Sequence, residues 1–217
     1  MDRSRIVEEI PELDRIQNVF STPNAQRGLV ALYTESQAEC TRNGSCGMEI
    51  GMAREKDQGA ILKHFLGEEI NLELDNSLTE DYVMGSQKIS AKHSGGKIGT
   101  PVKIKWTSAD KSVEDTIESL LQSEEYPHLL LTYLDIKSKR ITILCISSHH
   151  NRDTIKGLGK DAFTIPKGNS RGIEYSTKAM KELLSHIYFR IDISEADLTG
   201  GMNPIQRRID RLKQIGL

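Results

Sequence analysis

Residues 81–94, Asp81-Tyr-Val-Met-Gly-Ser-Gln-Lys-Ile-Ser-Ala-Lys-His-Ser94, decide how this chain is read. An acid leads into β-like sequence, and 87–94 has the pattern of a strand. Side chains alternate along a strand with period two, so Ile89 and Ala91 take one face. Lys88, Ser90, Lys92 and Ser94 take the other. The common meaning of such alternation is a solvated face of an antiparallel strand. The sharper meaning gives Lys92 a chemical task beside the acid. Glu80 and Asp75 are nearby, but Tyr82 and Val83 place Asp81 at a strand end, where a ligand is held more firmly than in a loop.

Outward from that stretch the chain reads as α/β. Helical patterns are expected over 6–20, interrupted near Pro11, over 24–41, and over 48–66, ending at Gly67. A loop is expected over 42–47, and residues 70–76 are ambiguous. After the strand over 87–94 come a turn region over 95–101 and a strand over 102–107. A helix is expected over 109–123, then a hairpin of buried strands, 128–135 and 140–147. Residues 148–175 are polar, basic and Gly-containing, with little periodicity. A helix over 176–186, a strand over 187–193 and a basic helix over 203–214 complete the chain. The expectation is a mixed central β-sheet of about five strands flanked by helices.

The 217 residues fit one domain. Within it, 1–47 is the helical part, suited to dimer or DNA contacts. Residues 48–147 form the core, and 148–217 a recognition segment with terminal helices. Hydrophobic content of 37% supports one core and excludes disorder as the general state. The formal net charge of -2 means that any nucleic-acid surface must be local. The cysteines Cys40, Cys46 and Cys145 form no CxxC pair, which suggests reduced thiols and a cytoplasmic protein. No apolar run approaches the roughly 18 residues that span a bilayer.

In the third helix, Met52, Glu55, Gly59, Leu62 and Leu66 recur at helical spacing and share a face. A carboxylate in such a stripe is either an edge residue paired with a lysine or a group aimed at a site, because burying an unpaired charge costs several kcal/mol. Mg²⁺ suits carboxylate and water oxygens. A lysine beside such a site can stabilise phosphate charge and serve the attacking water. Six lysines lie between Lys88 and Lys111 against one acid, Asp110. Zinc and phosphate-loop sites are not supported: the cysteines and His149-His150 lack ligand spacing, and Gly95-Gly-Lys-Ile-Gly-Thr100 lacks the phosphate-loop order.

These residues resemble the PD-(D/E)XK nucleases, specifically the type II restriction endonucleases. Asp81, then Ser90-Ala-Lys92 on the following strand, and Glu55 in the helix Arg54-Glu-Lys-Asp-Gln-Gly-Ala-Ile-Leu-Lys-His-Phe-Leu66 carry the resemblance. It departs from the usual pattern twice: no Pro precedes Asp81, and Ser90 stands where a second acid is usual. The resemblance implies that Glu55 and Asp81 hold Mg²⁺, that Lys92 serves the water and the phosphate, and that Ser90 lines the site. Within that family, the Gly47-Met48 loop, the Glu55 helix and the spacing from Asp81 to Lys92 look most like the ThaI-like enzymes, blunt cutters of a CG-only palindrome. Cutting both strands of a palindrome implies a homodimer.

Candidate DNA contacts are Lys88, Lys97, Lys103 and Lys105, with Arg207, Arg208 and Arg211 in the terminal helix. Arg152, Lys156, Lys160, Lys167, Asn169 and Arg171 are suited to base reading. Met48 is either a core residue or a wedge between base steps. The expected function is therefore Mg²⁺-dependent cleavage of double-stranded DNA at a short palindrome. The alternatives are a structure-specific or repair nuclease of the same fold, and a DNA-binding regulator without catalysis.

Overall fold

The computed structural model describes residues 9–44, 47–72, 80–106, 112–135, 140–166 and 172–194, with the side chains of residues 47, 48 and 106 outside the description. Three helices come first. Helix α1 (Pro11–Ser21) starts on its proline, whose fixed φ suits the first helical position. The helix expected from residue 6 thus begins at 11, and residues 6–8 lie outside the described set. Helix α2 (Pro23–Arg42) is capped by Thr22, whose Oγ1 accepts from the Ala25 N–H at 3.3 Å. Helix α3 (Gly47–Leu66) runs into Gly67, whose φ of 58° ends it.

The strands follow as β1 (Ile70–Leu72), β2 (Tyr82–Met84), β3 (Gln87–Ser94) and β4 (Lys103–Trp106), then, past helix α4 (Val113–Gln122), β5 (His128–Asp135) and β6 (Arg140–Ile146). Helix α5 (Ser148–Leu158), β7 (Phe163–Thr164), β8 (Gly172–Tyr175), helix α6 (Thr177–Leu184) and β9 (Phe189–Ser194) complete the described chain. Among the described residues the main sheet has six strands, where about five were expected, in the order β1-β2-β3-β5-β6-β9. Only β3 and β5 pair in parallel, so the sheet is mixed as expected. The strand at 103–106 joins a separate sheet, β4-β8-β7.

Alternation along the strands divides the core. Leu130, Ile141, Ile143, Cys145, Ile89 and Ala91 face α1, α2 and α3. Leu129, Leu131, Tyr133, Leu144 and Ile146 face α4, α5, α6 and the small sheet. Both faces of β3 and β5 are therefore covered, and Ser90 is 3% exposed. The solvated-face meaning of 87–94 does not hold for the centre of that strand.

Two other expectations are corrected. Residues 148–175 are not an irregular loop, for they contain α5, β7 and β8. In α3 the inward face is rotated from the expected stripe: Arg54, Gln58, Ile61 and Leu62 are buried, whereas Met52 is 38% exposed. Among the described residues, no helix is long and apolar enough to cross a membrane. Cys40 and Cys145 are buried free thiols, and Cys46 lies outside the described residues. The basic helix expected over 203–214 also lies outside them.

Candidate active site

Strand β2 pairs with β3 only through Tyr82↔Ile89, Val83↔Lys88 and Met84↔Gln87. Past Ile89, that edge of β3 runs on without its partner. Asp81 sits where the pairing ends. Its N–H donates to the Ile89 carbonyl at 2.8 Å. Its Oδ2 accepts from the Ala91 N–H at 2.6 Å, from Ser90 Oγ at 3.1 Å and from Lys92 Nζ at 2.9 Å. A buried backbone N–H needs a partner, and here a carboxylate supplies it in place of a strand. Donors on an ionised oxygen make the stronger class of hydrogen bond, so Asp81 is held firmly. The Lys92 and Asp81 side chains are 20% and 17% exposed, which shields their ion pair from water.

Glu55, half-buried on α3, brings a second carboxyl to Asp81. Burial pushes its pKa up to about 8, and the hydrogen bond and like charge of Asp81 add to the rise, against the opposing pull of Lys92 and Lys56. Glu55 therefore holds its proton near neutral pH unless another positive charge enters. The structure thus brings Glu55 from α3, Asp81 from just before β2, and Ser90 and Lys92 from β3 to one place.

A polar layer behind the site escaped the sequence reading. Tyr82 donates its hydroxyl to the Glu55 carbonyl at 2.7 Å, and Gln58 Nε2 donates to Thr132 Oγ1 at 3.0 Å. Tyr33 Oη and His93 Nε2 lie 2.8 Å apart, and Arg54 donates to Gln37 Oε1 at 2.5 Å. Burial, with the charges of Arg54 and Lys92, lowers the His93 pKa to about 3, so its ring is neutral. Polar residues on an inward helix face leave no apolar periodicity to detect. The available signals were position alone: Tyr82 follows Asp81, and Gln58 lies one turn after Glu55.

The family model for restriction endonuclease ThaI matches residues 16–211 of this chain. The chain belongs to the ThaI restriction endonuclease family. A solved structure described as a restriction endonuclease in complex with substrate DNA shares the fold, with a TM-score of 0.66 and 22% identity, covering 93% of this chain and 98% of that one. None of the curated proteins matches. Family membership sets aside the non-catalytic regulator: this is a type II restriction endonuclease, a nuclease that acts on DNA.

The proposed DNA contacts of the restriction endonuclease are spread more widely. Lys88 is exposed but paired with Glu125 at 2.8 Å and Glu80 at 3.7 Å. Lys97 is exposed in the turn before β4. Lys103 and Lys105 lie on β4, where burial lowers the Lys103 pKa against the opposing charge of Glu174. Arg152 and Lys156 lie on α5. Arg152 contacts Asp153 and His149, and Lys156 donates to the Leu121 carbonyl at 2.6 Å. Lys88 and Arg152 line a cavity of about 450 Å³ with His128 and Glu125, and neither Glu55 nor Asp81 is among its walls. Met48 lies in the first turn of α3, its side chain outside the description. Lys167, Asn169 and Arg171 lie outside the described residues.

Proposed function

We propose that this restriction endonuclease hydrolyses double-stranded DNA at a short palindrome, working in the cytoplasm as a Mg²⁺-dependent homodimer with Glu55, Asp81, Ser90 and Lys92 as its catalytic group. The observation that carries the site is the convergence of Ser90, Ala91 and Lys92 on Asp81 Oδ2, with the Glu55 carboxyl against the same residue. The donor set fits the ion. Two adjacent carboxyls offer hard oxygens, and the raised Glu55 pKa marks a place where a positive charge is favoured. Glu55 and Asp81 would hold it. When bound, Mg²⁺ offsets charge on the phosphate and makes water easier to deprotonate.

The chain's own groups do the rest. Lys92, held at 2.9 Å from Asp81, donates its remaining N–H bonds to a phosphate oxygen and to the attacking water. The water oxygen bonds to phosphorus and gives up one proton to solvent. The bond from phosphorus to one sugar oxygen breaks, and that oxygen takes up a proton from solvent. One water is consumed, and no net proton is gained or lost in the transfer. Ser90 donates to Asp81 and keeps its carboxylate turned to the site. Lys97, Lys103 and Lys105 form a basic run beside the β4–β8 ladder, suited to phosphates. Residues 148–217 carry the remaining candidate base-reading groups. Two copies are needed because a two-fold target presents each strand to one site.

Incubating the protein with plasmid and Mg²⁺, then sequencing the ends, tests this. Discrete fragments whose ends share one palindromic sequence are expected, with no cutting in the presence of a chelator. Smears, or nicks without a common sequence, would instead favour a structure-specific nuclease.

A further inference from the structure

Glu55 lies on α3 and Asp81 just before β2, so their relative position depends on how these two elements are tied together. The contacts around Tyr82 tie them. Tyr82 follows Asp81 in the chain and is 2% exposed. Its backbone is fixed in the β2–β3 ladder opposite Ile89. Its hydroxyl donates to the Glu55 carbonyl at 2.7 Å and lies 3.5 Å from Gln58 Oε1. One peptide bond and one hydrogen bond therefore link the two acids through a rigid ring.

The ring needs a seat on α3, and Gly59 provides it. A Cβ at Gly59 would lie 3.1 Å from Tyr82 Cε1 and 3.3 Å from Leu72 Cδ2, closer than a methyl group is ordinarily accepted. Gly59 is one turn after Glu55, so the ring packs beneath the carboxylate-bearing turn. Gln58 extends the tie to the sheet centre through Thr132 on β5. Gln58 and Thr132 are 0% and 1% exposed, so this chain of contacts is dry and stiff.

We propose that Tyr82, seated on Gly59, is a positioning residue that locks α3 to β2 and thereby sets the Glu55 carboxyl against Asp81 for cation binding. The proposal rests on the reading that these two acids hold the metal. Removing the hydroxyl frees the α3 turn to shift relative to Asp81, because the hydrogen bond from the ring to the Glu55 carbonyl is lost. The cation site then has to be assembled at the moment of binding, which weakens it without touching DNA contacts.

The test compares Tyr82→Phe, Gly59→Ala, Asp81→Asn and Tyr133→Phe in the full chain. Tyr133 is an equally buried tyrosine that donates to the Thr100 carbonyl at 3.3 Å on the other face of the sheet. Two midpoints in Mg²⁺ are read: that of the cleavage rate, and that of the rise in melting temperature of the protein alone. Tyr82→Phe and Gly59→Ala are expected to raise both midpoints about tenfold, the usual effect of losing a group that orients a metal ligand, with the KM for DNA unchanged. Tyr133→Phe should leave both midpoints in place while losing some stability. Wild-type midpoints in Tyr82→Phe, or an equal shift in Tyr133→Phe, would overturn the positioning role. Asp81→Asn separates the two ideas: if it too keeps wild-type midpoints, the metal-site reading itself fails.

Discussion

At Glu55 the fold places a carboxyl where its proton is favoured, and this gives the metal-free protein a specific pH dependence. The folded-state pKa of about 8 exceeds the ordinary 4.5, so the folded state binds the proton more tightly than the unfolded chain. The resulting stability is fully present below about 4.5 and is lost as pH rises through about 8. His93 acts in the opposite sense. Its folded pKa of about 3 lies below the ordinary 6.5, so its contribution is present above 6.5 and is lost as pH falls toward 3. Urea unfolding across this range should show the alkaline loss in wild-type protein, its absence in Glu55→Gln, and its suppression by Mg²⁺. An unchanged alkaline slope in Glu55→Gln would contradict the raised pKa of the buried Glu55 carboxyl. That Asp81 and Lys92 meet was legible from strand position and alternation, whereas the stripe drawn through Glu55 was rotated from the true inward face of α3, and the family resemblance was the better guide there. Arg54, Gln58, Tyr82 and His93 were not legible, because their partners come from other segments and polar residues give no burial signal.

Helix α5 shows the same limit at the scale of an element. Its buried residues are Asn151, Thr154 and Ile155, so the apolar stripe that announces a helix is missing. Asn151 donates to the Pro127 carbonyl at 3.0 Å and accepts from the Tyr175 hydroxyl at 2.6 Å, contacts made only in the folded chain. The helix is capped by Ser147, whose Oγ accepts from the His150 N–H at 3.3 Å. Ser147→Ala should lower stability by about 1 kcal/mol, measured by urea unfolding, with cleavage retained. Helix α4 is easier to read, since Ser112 and Asp115 form a capping box before an apolar run. On β4, Lys105→Ala should weaken DNA binding evenly across sequences and reduce the salt slope by about one unit, as for loss of one phosphate contact. A change confined to one base position would instead mark Lys105 as a base reader.

For the whole molecule, one sheet carries two cores, and the site lies at the edge where β2 stops short of β3. The central hairpin of β5 and β6 was readable from its unbroken apolar runs, as strands covered on both faces require. The count of strands was not, because β1 and β2 have three residues each and carry little pattern. The separate β4-β8-β7 sheet was hidden for another reason: its partners are far apart in sequence. Leu130 is fully buried between β5 and the helices, so Leu130→Ala should cost about 2–5 kcal/mol in an unfolding measurement. The proposed site depends on this scaffold but makes a separate demand, that Glu55, Asp81 and Lys92 act together on one phosphate. Single-turnover cleavage of DNA carrying the target sequence, with wild-type protein and with Lys92→Ala at saturating Mg²⁺, tests that demand most directly. The account predicts a rate loss of about a hundredfold or more with DNA binding retained; cleavage by Lys92→Ala at the wild-type rate would contradict it.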